Sequence, residues 1–193
     1  MSKKKIPIYF ITGNDHKFKE ILSTFQLEVD NYELIQSRIK TREIQASTIK
    51  EVAEFKINSV KDKIQESFFI EDAGFFVEEP LNGFPGVYSS YVFKTIGNEG
   101  ILKLIGNTQD SIARFEAVIA LYHAPTQSIK YFKGEVNGSI SSEMRGDKGF
   151  GFDPIFIPND IPNKTFSELT TQEKNSISHR GRALVQLIDF LRK

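Results

Sequence analysis

Apolar positions change their spacing along the chain, from short unbroken runs to helical periods and back. Ile6–Thr12 is an apolar run that stops at a Gly-Asn pair, which predicts a buried strand. Lys17–Phe25 carries apolar residues on one helical face and predicts a helix. A second helix should follow Thr48, whose Thr-x-x-Glu pattern is typical of a capping box, and a last helix should span His179–Leu191.

The remaining pattern predicts mostly strands. The predicted elements are strands at Tyr32–Gln36, Phe68–Ile70, Phe75–Val77 and Gly138–Ile140, a β-pair of Arg114–Tyr122 with Ser128–Val136, and a short helix at Asn98–Ile105. A β-α-β-α-β order followed by antiparallel-type strands predicts an α/β fold with a mixed sheet. No repeat or linker interrupts the 193 residues, so we expect a single domain over residues 1–193.

Composition excludes several classes of function. Twenty-five Lys and Arg balance 25 Asp and Glu, which argues against a protein that coats nucleic acid or an anionic membrane. There is no Cys and the three His are scattered, so a metal would need oxygen ligands, as Mg²⁺, Mn²⁺ or Ca²⁺ do. The lysine-rich start followed by Ile6–Thr12 imitates a signal peptide, but Pro7 interrupts it and we expect a first strand. No apolar run is long enough to span a membrane, and we expect a cytoplasmic protein.

The segment Thr12-Gly13-Asn14-Asp15-His16-Lys17 lies between a predicted strand and a predicted helix. A helix N-terminus offers free N–H groups and a positive dipole end, which suit phosphate, and Lys17 adds a charge. The ordinary alternative is a turn in which Asn14 or Asp15 caps the helix. The spacing of a P-loop is absent.

Acidic residues near Lys56 form the second group of candidates. Lys56 falls in the apolar stripe of the second helix, so its ammonium either has a buried partner or extends to the surface. Glu71 and Asp72 follow an apolar strand and suit a hard cation or a general base. Along a regular strand they face opposite sides, so both reach one site only if the chain turns at Ala73–Gly74. Glu43 is a candidate third ligand that, alone, is indistinguishable from a surface Glu.

Two later segments are candidates for binding a base. Gly149-Phe150-Gly151-Phe152-Asp153-Pro154 offers two rings for stacking and one acceptor, although two core Phe in a turn explain it equally well. Near the last helix, Ser178 is the expected N-cap, with His179 and Arg180 in the first turn and Lys174 in the loop before it. Cations at a helix N-terminus oppose the dipole, which an anionic or carbonyl-bearing ligand would offset.

Together these segments resemble the inosine triphosphate pyrophosphatase family, also called Ham1-like, whose members hydrolyse deaminated purine nucleoside triphosphates. The resemblance keeps its order over nearly the whole chain. It is carried by Thr12-Gly13-Asn14-x-x-Lys17-x-x-Glu20, Glu71-Asp72-x-Gly74, Leu81-x-Gly83-x-Pro85-Gly86-x-Tyr88, Gly149-Phe150-Gly151-Phe152-Asp153-Pro154-Ile155-Phe156 and Glu173-Lys174-Asn175-x-Ile177-Ser178-His179-Arg180.

The resemblance implies an elongated mixed sheet with flanking helices and two lobes around a central cleft. It implies a homodimer and Mg²⁺, with Mn²⁺ as a substitute, and cleavage of ITP, dITP or XTP between the α- and β-phosphates. The products would be the monophosphate and pyrophosphate, and no nucleic acid polymer or membrane would be a partner.

The same resemblance implies a role for each matching residue. Asp72 would accept the proton of the attacking water, with Lys17 beside it as the second catalytic residue. The implied metal ligands are Glu43, Glu71 and Asp72, and the implied substrate contacts are Thr12, Gly13, Asn14, Lys17, Lys56, Phe150, Gly151, Phe152, Asp153, Lys174, His179 and Arg180. His179 and Arg180 are donors, so they would donate hydrogen bonds to a 6-oxo group and leave adenine mismatched.

Two positions depart from the family pattern. Position 73 is Ala where many members have a hydroxyl residue, and Ser89-Ser90-Tyr91-Val92 replaces the bacterial-type Ser-Ala-Arg. A nucleotide sensor without turnover and a pyrophosphatase for other damaged nucleotides, as in the Maf-like group, remain alternatives. The named cations and carboxylates balance, so we expect the triphosphate to bind poorly without Mg²⁺.

Overall fold

The computed structural model describes residues 5–106 and 111–193, which are built on one mixed β-sheet. Its seven strands are β1 (Ile6–Ile11), β2 (Tyr32–Ser37), β3 (Phe68–Glu79), β4 (Phe84–Gly86), β5 (Ile112–His123), β6 (Ser128–Ile140) and β7 (Phe156–Pro158). The strand order is β2-β1-β3-β5-β6-β7, and β4 pairs with β3. Strands β2, β1 and β3 are parallel, whereas every other pairing is antiparallel, which confirms the predicted mixed sheet.

Six α-helices lie among the described residues: α1 (Asp15–Glu28), α2 (Ile49–Asn58), α3 (Ser89–Thr95), α4 (Gly97–Ile105), α5 (Thr171–Ile177) and α6 (His179–Leu191). The helices that carry candidate site residues begin at residues whose side chains cap the helix. Asn14 caps α1, Thr48 and Thr170 form capping boxes with Glu51 and Glu173, and Ser178 caps α6 through the N–H of Gly181.

The buried apolar side chains of the described residues form three clusters, which divide the molecule into two lobes. In the first lobe, α1 and α6 cover one face of the sheet and α2 covers the other. In the second lobe, α3, α4 and the segment around β7 cover a single face through a cluster rich in Phe. This agrees with the expectation of two lobes that share one sheet.

The edge of β3 opposite β5 is interrupted between the lobes. Strand β1 pairs with β3 only as far as Phe69, and β4 begins to pair at Phe75. Within the described ranges, residues 70–74 have no strand beside them on this edge, while β5 pairs with them along the other edge. The buried hydroxyl of Ser89 donates to the Gly86 carbonyl oxygen and accepts from the N–H of Phe75, which fixes the far side of the gap.

Several predicted boundaries were wrong, for physical reasons. Helix α1 is longer than Lys17–Phe25 because Asn14 caps it, and α2 ends at Asn58, before the last residues of its apolar stripe. Strand β3 runs without a turn from Phe68 to Glu79, and the predicted strand at Gly138–Ile140 is the end of β6. Helices α3 and α5 and strands β4 and β7 were not predicted, because each is too short to show a period.

A search of the described helices finds none with both the length and the apolar character needed to span a bilayer.

Close packing of α6 on β6 yields a stability prediction. A Cβ at Gly134 would overlap the carbonyl oxygen of His179 and the amide nitrogen of Ala183, whereas a Cβ at Gly13 would meet nothing within 4 Å. We therefore expect Gly134→Ala to lower the free energy of unfolding by about 3 kcal/mol, since overpacking forces backbone shifts. Urea unfolding measures the change, and Gly13→Ala is the matched control, expected to stay within about 0.5 kcal/mol. Equal effects of the two substitutions would contradict this packing.

Candidate active site

The first part of the site lies where β1 ends and α1 begins. Asn14 caps α1, its Oδ1 accepting from the N–H of Lys17 at 3.1 Å, and the hydroxyl of Thr12 accepts from the N–H of Asn14. The capping role expected as the ordinary alternative is therefore present. The remaining first-turn N–H groups have no acceptor within the helix, which leaves the end suited to an anion. Lys17 extends from this turn towards β3.

A chain of six alternating charges runs from Lys17 into the interior. Its members, in order of contact, are Lys17, Glu71, Arg180, Glu20, Lys174 and Asp153. The five nitrogen–oxygen distances are 2.7, 3.0, 2.6, 2.8 and 2.6 Å. All members except Lys17 are at least nine-tenths buried. The chain joins α1, β3, α6, α5 and the loop after β6, so it brings residues from five parts of the sequence to one place.

Glu71 and Asp72 lie on opposite faces of β3. Glu71 is on the face of α1 and α6, where it meets Lys17 and Arg180, and Asp72 is on the face of α2, where it meets Lys56. The turn at Ala73–Gly74 that would bring both carboxylates to one side is not formed, because pairing with β5 continues through these residues. Both carboxylates nevertheless lie in the part of β3 that forms the gap in the strand edge.

Lys56 has the buried partner that its position in the apolar stripe required. Its side chain is 13% exposed, and its Nζ lies 2.8 Å from both Glu43 and Asp72. Burial alone would lower the pKa of Lys56, but the charges of Asp72 and Glu43 outweigh burial and raise this pKa. The ammonium therefore stays positive between two carboxylates that approach it from different elements.

The carboxylates at the gap fit a hard divalent cation in their chemistry. Among the described residues, Glu71 Oε2 and Asp72 Oδ2 are buried, and each has a lysine Nζ at 2.7 to 2.8 Å as its ion-pair partner. Carboxylate oxygens are the ligands through which Mg²⁺ binds to proteins. Among the residues that the structure describes, however, no three acidic or His side chains converge as a metal-ligating group. Asp72 and Glu43 share one face across Lys56, whereas Glu71 lies on the other.

The glycine-rich loop after β6 has one Phe in the core and the other beside the charged residues. Phe152 is buried and stacks on Phe75 at 4.9 Å, so it belongs to the core of the second lobe. Its predicted stacking on a base does not fit this position. Phe150 is half-buried, and its ring lies near Lys174 Nζ at 5.0 Å and Arg180 Cζ at 5.5 Å. Gly151 has φ of +67°, which lets the two rings point apart.

Asp153 and Lys174 have structural partners inside the protein. Asp153 Oδ2 accepts from Lys174 Nζ at 2.6 Å and from the N–H of Phe150 at 2.8 Å. Burial raises the pKa of Asp153, and the charge of Lys174 offsets that only in part. Lys174 lies in α5, not in the predicted loop. This pair fastens the glycine-rich loop to α5.

Arg180 and His179 begin α6, as predicted, but only Arg180 is a cation there. Burial would lower the pKa of Arg180, yet Glu71 and Glu20 raise it further above its ordinary value. Burial holds the pKa of His179 well below its usual range, with Arg180 next in effect. His179 stacks on Phe115 at 4.7 Å, and its Nδ1 is buried without a hydrogen bond among the described residues. The imidazole is therefore neutral.

Sequence reasoning missed Glu20 and His16. Glu20 was quoted only as part of a pattern, yet its carboxylate contacts both Lys174 and Arg180. Burial would raise the pKa of Glu20, but those two cations lower it, so it is ionised. The predicted site thus has one more carboxylate than cations. His16, in α1, stacks on Phe150 at 5.3 Å and so contacts this ring from the side of α1. No local pattern signals either contact, because the partners lie more than 130 residues away.

Comparisons with known proteins show which family the chain resembles. A profile of the Ham1 family matches residues 8–190. The chain is 46% identical to a dITP/XTP pyrophosphatase of Thermococcus kodakarensis, over 95% of this chain and 96% of that protein. It is 47% identical to one of Pyrococcus horikoshii, over 96% of each. The solved structure of the Staphylococcus aureus Ham1 protein superposes with a TM-score of 0.81 at 31% identity, covering 96% of this chain and 98% of that one.

Neutral His179 yields a prediction for the pH dependence of stability. The folded state binds fewer protons than the unfolded state below the ordinary histidine pKa of about 6.5, so stability should fall as the pH is lowered through that range. From pH 7 to 5.5 we expect His179 to contribute a loss of roughly 1 kcal/mol. His179→Phe, which preserves stacking on Phe115, should remove that part of the slope. Urea unfolding at both pH values tests this, and equal slopes for the two proteins would refute it.

Proposed function

The chain belongs to the Ham1 family, and from that premise we propose that it hydrolyses ITP, dITP and XTP to the nucleoside monophosphate and pyrophosphate. It is a hydrolase of nucleotide metabolism that removes deaminated purine nucleotides from the nucleotide pool. The observation that carries the proposal is the buried chain of six charges, because it connects the N-terminus of α1, which suits an anion, with the cations beside the ring of Phe150. A nucleoside triphosphate has the same two ends, one anionic and one aromatic.

The triphosphate would bind at the gap in the edge of β3. Lys17 and Lys56 retain 17% and 13% side-chain exposure and approach the gap from opposite faces. Together with the N-terminus of α1, where Thr12, Gly13 and Asn14 hold the turn, they can neutralise adjacent phosphates. On binding, each ammonium would move its contact from a carboxylate to a phosphate oxygen.

The base would bind beside Phe150, with Arg180 as the donor that reads its 6-position. A 6-oxo group accepts a hydrogen bond from the guanidinium. The 6-amino group of adenine is itself a donor, so neither it nor the guanidinium N–H that faces it would have an acceptor. A buried mismatch of this kind can discriminate by about 10⁴. Neutral His179 carries one N–H, so it can supply at most one further donor.

Asp72 would position the attacking water and accept its proton. Its Oδ2 contacts only Lys56 among the described residues, which leaves it available once Lys56 turns to phosphate. We propose Mg²⁺, with Mn²⁺ as a substitute, held by Asp72 and Glu43. When bound, the metal would neutralise phosphate charge and lower the pKa of water. Glu71 would then act from the other face, by holding Arg180 after Lys17 has moved to phosphate.

We also propose a cytoplasmic homodimer that binds no nucleic acid polymer. The balanced charge of the chain supports the last point. Exposed aromatic side chains support the dimer: Phe84 in β4, Tyr88 just before α3, and Tyr91 and Phe93 in α3 are 40 to 70% exposed. Exposed apolar side chains grouped on neighbouring elements are typical of protein interfaces.

A substrate panel tests the reaction itself. With Mg²⁺, we expect ITP, dITP and XTP to give monophosphate and pyrophosphate at rates far above those for ATP and GTP, measured by chromatography of the products. Asp72→Asn should lower kcat at least ~10²-fold with the fold preserved, because it removes the proton acceptor. Asp62→Asn, at an exposed position outside the site, is the control. Release of single phosphate would refute the reaction, and tight ITP binding without hydrolysis would indicate a sensor.

Metal removal tests the charge balance. The site has one more carboxylate than cations, so a triphosphate should be repelled until a divalent cation arrives. We expect ITP affinity, measured by calorimetry, to fall at least ~100-fold in EDTA and to recover with Mg²⁺ or Mn²⁺. Equal affinity with and without metal would contradict the proposed metal site.

A further inference from the structure

We propose that Glu20 is a positioning residue that sets base selectivity by holding Arg180 and Lys174 in fixed orientations. The inference rests on the proposed function and deepens it, since it names a residue that touches no part of the nucleotide. Glu20 belongs to α1, one turn after Lys17, while both of its partners belong to α5 and α6 near the other end of the chain.

Each oxygen of the Glu20 carboxylate has its own cation. Oε1 accepts from Lys174 Nζ at 2.8 Å and Oε2 accepts from Arg180 Nη1 at 2.6 Å. The Glu20 side chain is 9% exposed, so water screens these contacts little. Among the described residues, no other carboxylate contacts both cations: Glu71 reaches Arg180 and Asp153 reaches Lys174.

The backbone of Glu20 is fixed as firmly as its side chain. Asn175 Nδ2 donates to the Glu20 carbonyl oxygen at 2.9 Å and lies within hydrogen-bond distance of the hydroxyls of Ser23 and Thr24. Asn175 is next to Lys174 in α5, so this helix is attached to α1 by both residues. The backbone and the side chain of Glu20 therefore both hold α1 against α5.

The fixed orientation of Arg180 determines which of its N–H groups can donate to a base. Within the described part of the chain, Glu71 engages Nε and Nη2, and Glu20 engages Nη1. Three of the five guanidinium N–H groups are then used, and two are left for a ligand. Because Arg180 is held from both sides, its two remaining N–H groups cannot turn away from an adenine 6-amino group. Adenine binding therefore carries the full free-energy cost of the unpaired donors.

Loss of the Glu20 charge would release both cations. Arg180 would keep only Glu71 and could rotate about that contact, and Lys174 would be drawn towards Asp153, which anchors the loop of Phe150. Binding of the 6-oxo base should weaken because its donor is no longer aligned. Hydrolysis of ATP should suffer less, since adenine never used that donor.

The test compares the kcat/KM of ITP with that of ATP in the full chain with Mg²⁺. Glu20→Gln keeps the size of the side chain and removes its charge, and we expect the ITP-to-ATP ratio to fall at least ~10-fold, mainly through a higher KM for ITP. Glu20→Asp keeps the charge but shortens the reach, and its ratio should lie between those of Glu20→Gln and the wild type. Glu28→Gln, on the exposed side of the same helix, is the control and should keep the wild-type ratio.

An equal fall for ITP and ATP with unchanged KM values would overturn the inference, because a merely structural role lowers the active fraction alike for both substrates. If Glu20→Gln does not fold, Glu20→Asp carries the test, and a wild-type ratio there would equally overturn it. Failure of the wild type to form monophosphate and pyrophosphate from ITP would instead refute the proposed function, so the two failures are distinguishable.

Discussion

Burial of charge is the constraint on which this structure depends. Five of the six members of the chain from Lys17 to Asp153 lie in the interior, where an unpaired ion would cost several kcal/mol. Each forms ion pairs with residues from distant parts of the sequence, so α1, α5, α6, β3 and the glycine-rich loop must meet in one arrangement. Removing one partner of such a pair typically costs about 3–5 kcal/mol. Because burial makes an unpaired charge so unfavourable, each charge must keep its partners, and this requirement fixes their geometry.

The interruption of the sheet gives these charges access to a ligand. Because β1 ends at Ile11 and β4 starts to pair only at Phe75, the middle of β3 has one open edge between the lobes. Side chains of a strand alternate between faces, so Glu71 and Asp72 would ordinarily be separated by the sheet. At an open edge both faces can be reached from one side. The gap thus places two carboxylates with different partners at one open edge, Glu71 holding Lys17 and Arg180 and Asp72 holding Lys56.

The sequence predicted those features that depend on local pattern. Helix α6 was placed to the residue, because Ser178 caps it and its apolar stripe is regular. The position of Lys174 in α5 was missed because that helix has seven residues, although Thr170-x-x-Glu173 is a capping signal. Phe150 and Phe152 are equivalent in the pattern, and only the backbone conformation of the glycines decides which ring enters the core. The role of Glu20 in the chain of charges could not be predicted, because it depends on contacts with residues 154 and 160 positions away.

The central claim is that the two ends of the site are one ionic unit, and a double-mutant cycle between its terminal members tests it. Within the described part of the chain, ion pairs join Lys17 to Asp153 through four intervening charges. The free energy of unfolding in urea would be measured for Lys17→Met, Asp153→Asn and the double variant. The account predicts a coupling of about 1 kcal/mol or more, as for members of one network. Additivity within ~0.3 kcal/mol, as expected of independent sites, would contradict it.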